Sequence, residues 1–121
     1  MNNFALLACR KLLFLDVVEA AKHIGGVEPR TWRYYESGRS SLPDAIVKKM
    51  HDLIRRRESL LKEMRLAAQS HRQLGQGRQV VPYYVTFEQF VQETGLDDVL
   101  EWRLDMSVKS ALYIEDLLVF Y

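Results

Sequence analysis

Two adjacent glycines, Gly25 and Gly26, break a helical pattern that has only just begun at Asp16, and Pro29 starts a new one shortly after. Glycine enters left-handed backbone conformations without steric cost and so ends helices, while proline, lacking an N–H, is suited to a helix's first turn. A segment punctuated this way must form two short helices joined by a tight turn. Asp16, with Glu19 three positions on, has the spacing of a capping box, in which each side chain satisfies the other's backbone donor. The first helix of the pair is expected to run to about Ile24. Gly38, directly after Ser37, ends the second, expected over residues 29–37.

The rest of the chain is laid out around this pair. Phe4, Leu7, Ala8 and Leu12 recur at helical spacing and predict a first helix over residues 4–13, with Asn3 as its cap. Residues 39–42 read as a loop, and Pro43 with Asp44 begins a long helix to about Ser70. Along it Ile46, Leu53, Leu60 and Ala67 repeat at seven residues, as do Val47, Ile54, Leu61 and Ala68, which predicts one shared apolar seam. Gly75, Gln76, Gly77 and Arg78 form the clearest linker, so the expected domains are residues 1–72 and 79–121. In the second, β-branched and aromatic residues predict one short strand over residues 80–85. A helix follows from Thr86 to Glu93, stopped by Gly95. Asp97 or Asp98 then caps a last helix whose Leu100, Leu104, Ala111, Ile114 and Leu118 would share a face. The fold class is thus mainly α, with a small α-rich C-terminal domain carrying one short strand.

Charge separates the same two parts. Residues 1–78 hold 15 Lys and Arg against 8 Asp and Glu, a net +7, whereas residues 79–121 hold 2 against 8, a net −6. A basic half is what a polyanion requires, and an acidic one would be repelled by phosphate and is suited to self-association or a protein partner. The single cysteine, Cys9, allows no internal disulfide and no cysteine-based metal site, which fits a reducing, cytoplasmic compartment. Arg10 and Lys11 split the apolar N-terminus in a way a signal peptide would not, and no run approaches the roughly 20 apolar residues of a membrane span.

Two short helices joined by a glycine turn, the second carrying exposed basic residues, form the helix-turn-helix pattern that lays its second helix in the major groove of duplex DNA. On residues 29–37, Trp32 and Tyr35 fall on one side, with Val27 before them, and should pack inward, while Arg30, Arg33, Tyr34 and Ser37 face out. A guanidinium fork can bond both acceptors of guanine, so Arg30 and Arg33 are the candidate base readers. Thr31 and Tyr34 could touch a thymine methyl or a phosphate. Arg39, Ser40 and Ser41 stand where they would hold the backbone.

The run Leu15-Asp16, Glu19-Ala20-Ala21, Ile24-Gly25-Gly26-Val27 and Arg30-Thr31-Trp32-Arg33-Tyr34-Tyr35-Glu36-Ser37-Gly38-Arg39, with Pro43 beyond, resembles the phage-repressor (Xre-like) class of helix-turn-helix proteins. Trp32, Tyr35, Glu36 and Gly38 match that class's buried and helix-ending positions. More narrowly the chain resembles the YdiL-type proteins, relatives of the anti-CRISPR-associated repressors, over nearly its whole length, including Pro82-Tyr83-Tyr84-Val85-Thr86-Phe87 and Trp102-Arg103-Leu104. The resemblance implies a homodimeric transcriptional repressor of an inverted-repeat operator. It also implies self-association through residues 79–121, to which the long helix could add, and groove contacts from Arg30, Thr31, Arg33 and Tyr34. The turn is one residue longer than in phage repressors, and Pro29 stands where many carry a polar reading residue. RNA is a second polyanion that the basic half would admit.

The remaining residues carry blander readings. The Arg55-Arg56-Arg57 run reads as a solvated helix face. Trp102, Tyr83 and Tyr84 read as core or dimer contacts, and Cys9 as structural. His23, His51 and His71 are scattered without ligand spacing, and Asp97, Asp98 and Glu101 are explained by a helix N-terminus. No phosphate-cradling glycine loop, nucleophile elbow or metal motif occurs, so no catalytic residue, cofactor or metal is assigned and no enzyme is expected. The alternative to a repressor is an antitoxin-like or other protein-interaction module in which DNA or RNA contact is secondary.

Overall fold

The structure is a computed structural model describing all 121 residues, and it divides into two compact units, residues 1–56 and 57–121. Six α-helices and two short strands follow in the order α1 (Asn3–Leu12), α2 (Val17–Ala20), α3 (Pro29–Ser37), α4 (Asp44–Gln73), β1 (Gln79–Val81), α5 (Phe87–Thr94), α6 (Val99–Ile114) and β2 (Leu118–Phe120). The 30-residue α4 runs through the boundary and gives its first part to one unit and its second to the other. No helix is long and apolar enough to cross a membrane.

In the first unit the cap of α1 is Asn2, whose side chain accepts from the Ala5 amide at 2.8 Å. The sequence assigns that role to Asn3, but the Asn3 side chain is taken by a long-range bond to the Glu36 carbonyl, 3.1 Å. The capping box is present as expected, with Asp16 accepting from Glu19 N and Glu19 accepting from Asp16 N. After one α turn the helix widens into a π turn over Ala21–Gly25 and stops at Gly26, whose φ of +60° only glycine adopts freely. Gly25 matters for a different reason: a Cβ there would lie 2.9 Å from Val27 Cγ2 and 3.1 Å from Trp32 Cε3. Gly25→Ala should therefore cost about 1–3 kcal/mol by overpacking, measurable as a lower midpoint in chemical denaturation; an unchanged midpoint would show that the turn simply moves aside. The core of this unit is Leu6, Leu13, Leu15, Ala20, Ala21, Ile24, Trp32, Ile46 and Met50.

The second unit departs further from expectation. The strand predicted over residues 80–85 is confined to Gln79–Val81, because Pro82 has no N–H to offer a ladder. It pairs in parallel with β2, in the register Gln79↔Leu118, Val80↔Val119 and Val81↔Phe120. A single strand has nowhere to place its backbone hydrogen bonds, so the partner the sequence reading lacked is structurally required. That partner comes from the predicted last helix, which ends at Ile114: Asp116 turns left-handed at φ +62°, leaving Leu118 in the strand and Ile114 exposed. Thr86 and Asp98 cap α5 and α6 through their side-chain oxygens, and Gly95 ends α5.

Two clusters fill this unit. Leu61, Ala68, Val108, Leu112, Leu117 and Leu118 form one, while Tyr84, Phe90 and Trp102 form the other, with Trp102 Nε1 donating to the Tyr84 carbonyl at 2.9 Å. The expected seam along α4 is not uniform, since Leu61 and Ala68 are buried but Ala67 is exposed. A straight helix has 3.6 residues per turn, so a seven-residue row drifts around it and one row cannot stay inside over thirty residues. The arginine run is also corrected in part. Arg55 is exposed and pairs with Asp52, but Arg57 is 8% exposed and donates from Nε to Ser107 Oγ at 2.8 Å.

Candidate nucleic-acid interface

Helix α3 is fixed from behind by one tryptophan and one ion pair. Trp32 is fully buried, edge-on to Tyr35 with ring centroids 6.3 Å apart, and its Nε1 donates to Glu36 Oε2 at 2.8 Å. The same carboxylate receives both Nε and Nη2 of Arg10 on α1, at 2.6 and 3.1 Å, while Arg10 Nη1 donates to the Leu15 carbonyl. Both side chains are about nine-tenths buried, so a fork-to-fork pair sits where water does not compete. Asn3 adds its bond to the Glu36 carbonyl. Two links thus join α1 to the rear of α3, Arg10 to the Glu36 carboxylate and Asn3 to its carbonyl, and with the buried Trp32 they set its rotation about its own axis.

With that rotation set, the opposite face is turned out. Arg30 and Arg33 are exposed, as are Ser37 and Arg39; Thr31 and Tyr34 are half-buried. Gly38 ends α3 in the left-handed conformation at φ +79°, and the chain folds back so that Ser40 N donates to the Tyr34 carbonyl at 3.1 Å. This brings Arg39 over the Tyr34 ring, 4.5 Å from its centroid, while Arg30 donates from Nε to the Tyr34 hydroxyl at 2.7 Å. Arg30, Tyr34 and Arg39 therefore stand together. Ser41 is exposed just beyond, and Arg33, one position before Tyr34 on α3, is exposed as well.

Beside this face lies an open groove of about 630 Å³ lined by Val18 and Lys22 of the preceding helix, Gly26 and Val27 of the turn, and Glu28, Pro29 and Thr31 at the start of α3. Lys22 and the amides at the start of α3 give it a positive side, offset by Glu28. The first unit carries ten basic against six acidic residues, a net +4, and the second seven against ten, a net −3. The outer face of α3 carries two guanidinium groups, Arg30 and Arg33, and Arg39 just beyond Gly38 adds a third; on the positive unit these can bond base edges and phosphate oxygens. No group of three or more metal-ligating side chains is present.

Reading the sequence alone placed the outward arginines but missed what holds them. Arg10 and Lys22 carried no assigned role in holding or lining this face and Asn3 was assigned only as a helix cap, although Arg10 was visible as a charge interrupting an otherwise apolar segment. A charge at that place in an amphipathic helix is a signal for a buried partner. Cys9 is half-buried and burial pushes its thiol pKa up, the opposite of an activated nucleophile.

A model of the Aca2/YdiL-like family matches residues 1–120 of the chain. The chain is also similar to the Aca2 repressor of Pectobacterium phage ZF40, with 40% identity over 115 residues that cover 95% of each chain.

Proposed function

Since the chain belongs to the Aca2/YdiL-like family, we propose that it is a sequence-specific DNA-binding transcriptional regulator, a homodimeric repressor acting on an inverted-repeat operator in the cytoplasm, and not an enzyme. One observation carries the reading: Trp32 and the Arg10–Glu36 pair hold α3 so that Arg30, Arg33 and Arg39 face solvent together on the positively charged unit. The similar phage protein's name as a repressor supports the regulatory role.

Physically, α3 lies in the major groove, Arg30 and Arg33 bond guanine O6 and N7, and Arg39, Ser40 and Ser41 hold the sugar-phosphate backbone. Thr31 and Tyr34 flank them. Two copies related by a two-fold axis read half-sites about 34 Å apart, which makes the operator near-palindromic and doubles the phosphate contacts. The acidic C-terminal residues suit the contact between copies, and the same cationic face would also accept structured RNA.

A gel-shift series on the DNA upstream of the coding region, run at several salt concentrations with the solution mass measured alongside, tests this. Binding should weaken steeply with salt, with a log–log slope of about −0.9 per phosphate neutralised. Arg33→Ala should weaken the operator by roughly 1–3 kcal/mol while leaving random DNA nearly unchanged. Equal loss on both duplexes would demote Arg33 to a phosphate anchor, and a monomeric mass at binding concentration would remove the two-fold operator.

A further inference from the structure

Tyr34 touches two arginines in different ways. Its hydroxyl oxygen accepts from Arg30 Nε at 2.7 Å, one helical turn earlier, and the Arg30 guanidinium carbon lies 5.5 Å from the ring centroid. Its ring carries the Arg39 guanidinium at 4.5 Å. Its backbone carbonyl is in turn held by Ser40 N and Ser37 Oγ, which ties the segment bearing Arg39 back onto α3. The tyrosine is half-buried while both arginines are exposed.

The choice of atom on Arg30 is informative. Guanine O6 and N7 are matched by a pair of guanidinium donors, and a phosphate by any of them. Engaging Nε leaves both terminal nitrogens of Arg30 available and fixes the plane in which they lie. An exposed arginine otherwise samples many rotamers, and ordering it in advance removes that cost from the moment of binding. The Arg39 contact is of another kind, a cation over a π face, which restrains position but not the direction of individual N–H groups.

We infer that Tyr34 is a positioning residue that acts through these two arginines, its hydroxyl aiming the Arg30 fork at a guanine and its ring holding Arg39 for the DNA backbone. The inference rests on the DNA-reading function proposed above. It makes two chemically separable claims, because phenylalanine removes the hydroxyl but keeps the ring, whereas leucine removes both.

The test uses the full chain and three kinds of duplex: the operator, operators with each G·C pair of a half-site replaced in turn, and a random sequence of equal length. Tyr34→Phe should weaken operator binding about five- to tenfold, the net scale of one solvent-exposed hydrogen bond. It should leave random DNA within about twofold and shrink the penalty for replacing the guanine that Arg30 reads. In an Arg30→Ala background, Tyr34→Phe should add no further loss. Tyr34→Leu should go beyond Tyr34→Phe by weakening random DNA as well. Matching thermal melts of wild type and Tyr34→Phe keep the comparison free of folding effects. Equal loss by Tyr34→Phe on operator and random DNA, or additive losses in the double variant, would overturn the inference in favour of Tyr34 as a direct ligand. A wild-type chain with no preference for the operator would overturn the DNA-reading proposal itself, and this inference with it.

Discussion

Glu36→Ala should destabilise the first unit by about 3–5 kcal/mol, the usual cost of removing one partner from a buried charge pair. The carboxylate serves two largely buried donors: Arg10, through two nitrogens, and the Trp32 indole N–H. Its loss leaves Arg10 Nε and Nη2 and the indole N–H without acceptors, with only Nη1 still held by the Leu15 carbonyl, and folding stabilities of only about 5–15 kcal/mol leave little to absorb that. The effect should appear as a lower denaturation midpoint followed by circular dichroism, and as weaker binding to operator and random DNA alike, since the whole of α3 would be released. Arg10→Met combined with Glu36→Leu should recover the part of the loss due to the unpaired charge, because an apolar pair of similar volume removes the desolvation cost together with the attraction, while the Trp32 N–H stays without its acceptor. Were Glu36→Ala to cost less than about 1 kcal/mol, the range of an exposed ion pair, the orientation of α3 would have to be credited to Trp32 packing alone.

This network also marks how far the sequence could be read. Features set by neighbours along the chain were legible: the Asp16 and Glu19 box, the Thr86 start of α5, an acidic cap on α6 narrowed to Asp97 or Asp98, the helix-ending glycines at 26, 38 and 95, and the inward Trp32 opposite outward Arg30 and Arg33. Each depends on chemistry within one or two helical turns. Features joining distant residues were not. Arg10 meets Glu36 across the first unit, and β1 meets β2 with two helices between them. Strands of three residues carry too little alternation to announce a partner, and β2 was absorbed into the helical pattern before it. Charged residues are expected outside unless paired, so Arg57 read as solvated and Lys109 drew no attention until their partners, Ser107 for one and Pro82 and Asp105 for the other, came within reach in the fold. For the candidate interface, the side chains that face outward were readable and the scaffold that aims them was not.

The second unit carries its own buried charge, and Lys109→Met there should cost about 3–5 kcal/mol at neutral pH. Lys109 is 5% exposed; its Nζ donates to the Pro82 carbonyl at 2.7 Å, lies 4.6 Å from the Tyr84 ring centroid and approaches Asp105 Oδ2 to 2.9 Å. That oxygen is buried without a well-directed hydrogen bond, so the lysine supplies it with charge more than geometry. Burial raises the Asp105 pKa above the ordinary carboxylate value, Glu101 adds to this, and the Lys109 ammonium opposes it. A native pKa above the unfolded one means the folded state binds the proton more tightly, so this group's contribution to stability falls as pH rises from the unfolded value through the native one. Without Lys109 the opposing cation is gone, the native value climbs further and the window of falling stability widens. Lys109→Met should therefore be penalised more at pH 7 than at pH 4, and adding Asp105→Asn should return much of the loss at pH 7 while changing little at pH 4. Denaturation curves at the two pH values decide it. A penalty independent of pH would mean that Lys109 holds the unit through the Pro82 carbonyl and the Tyr84 face, with Asp105 a bystander.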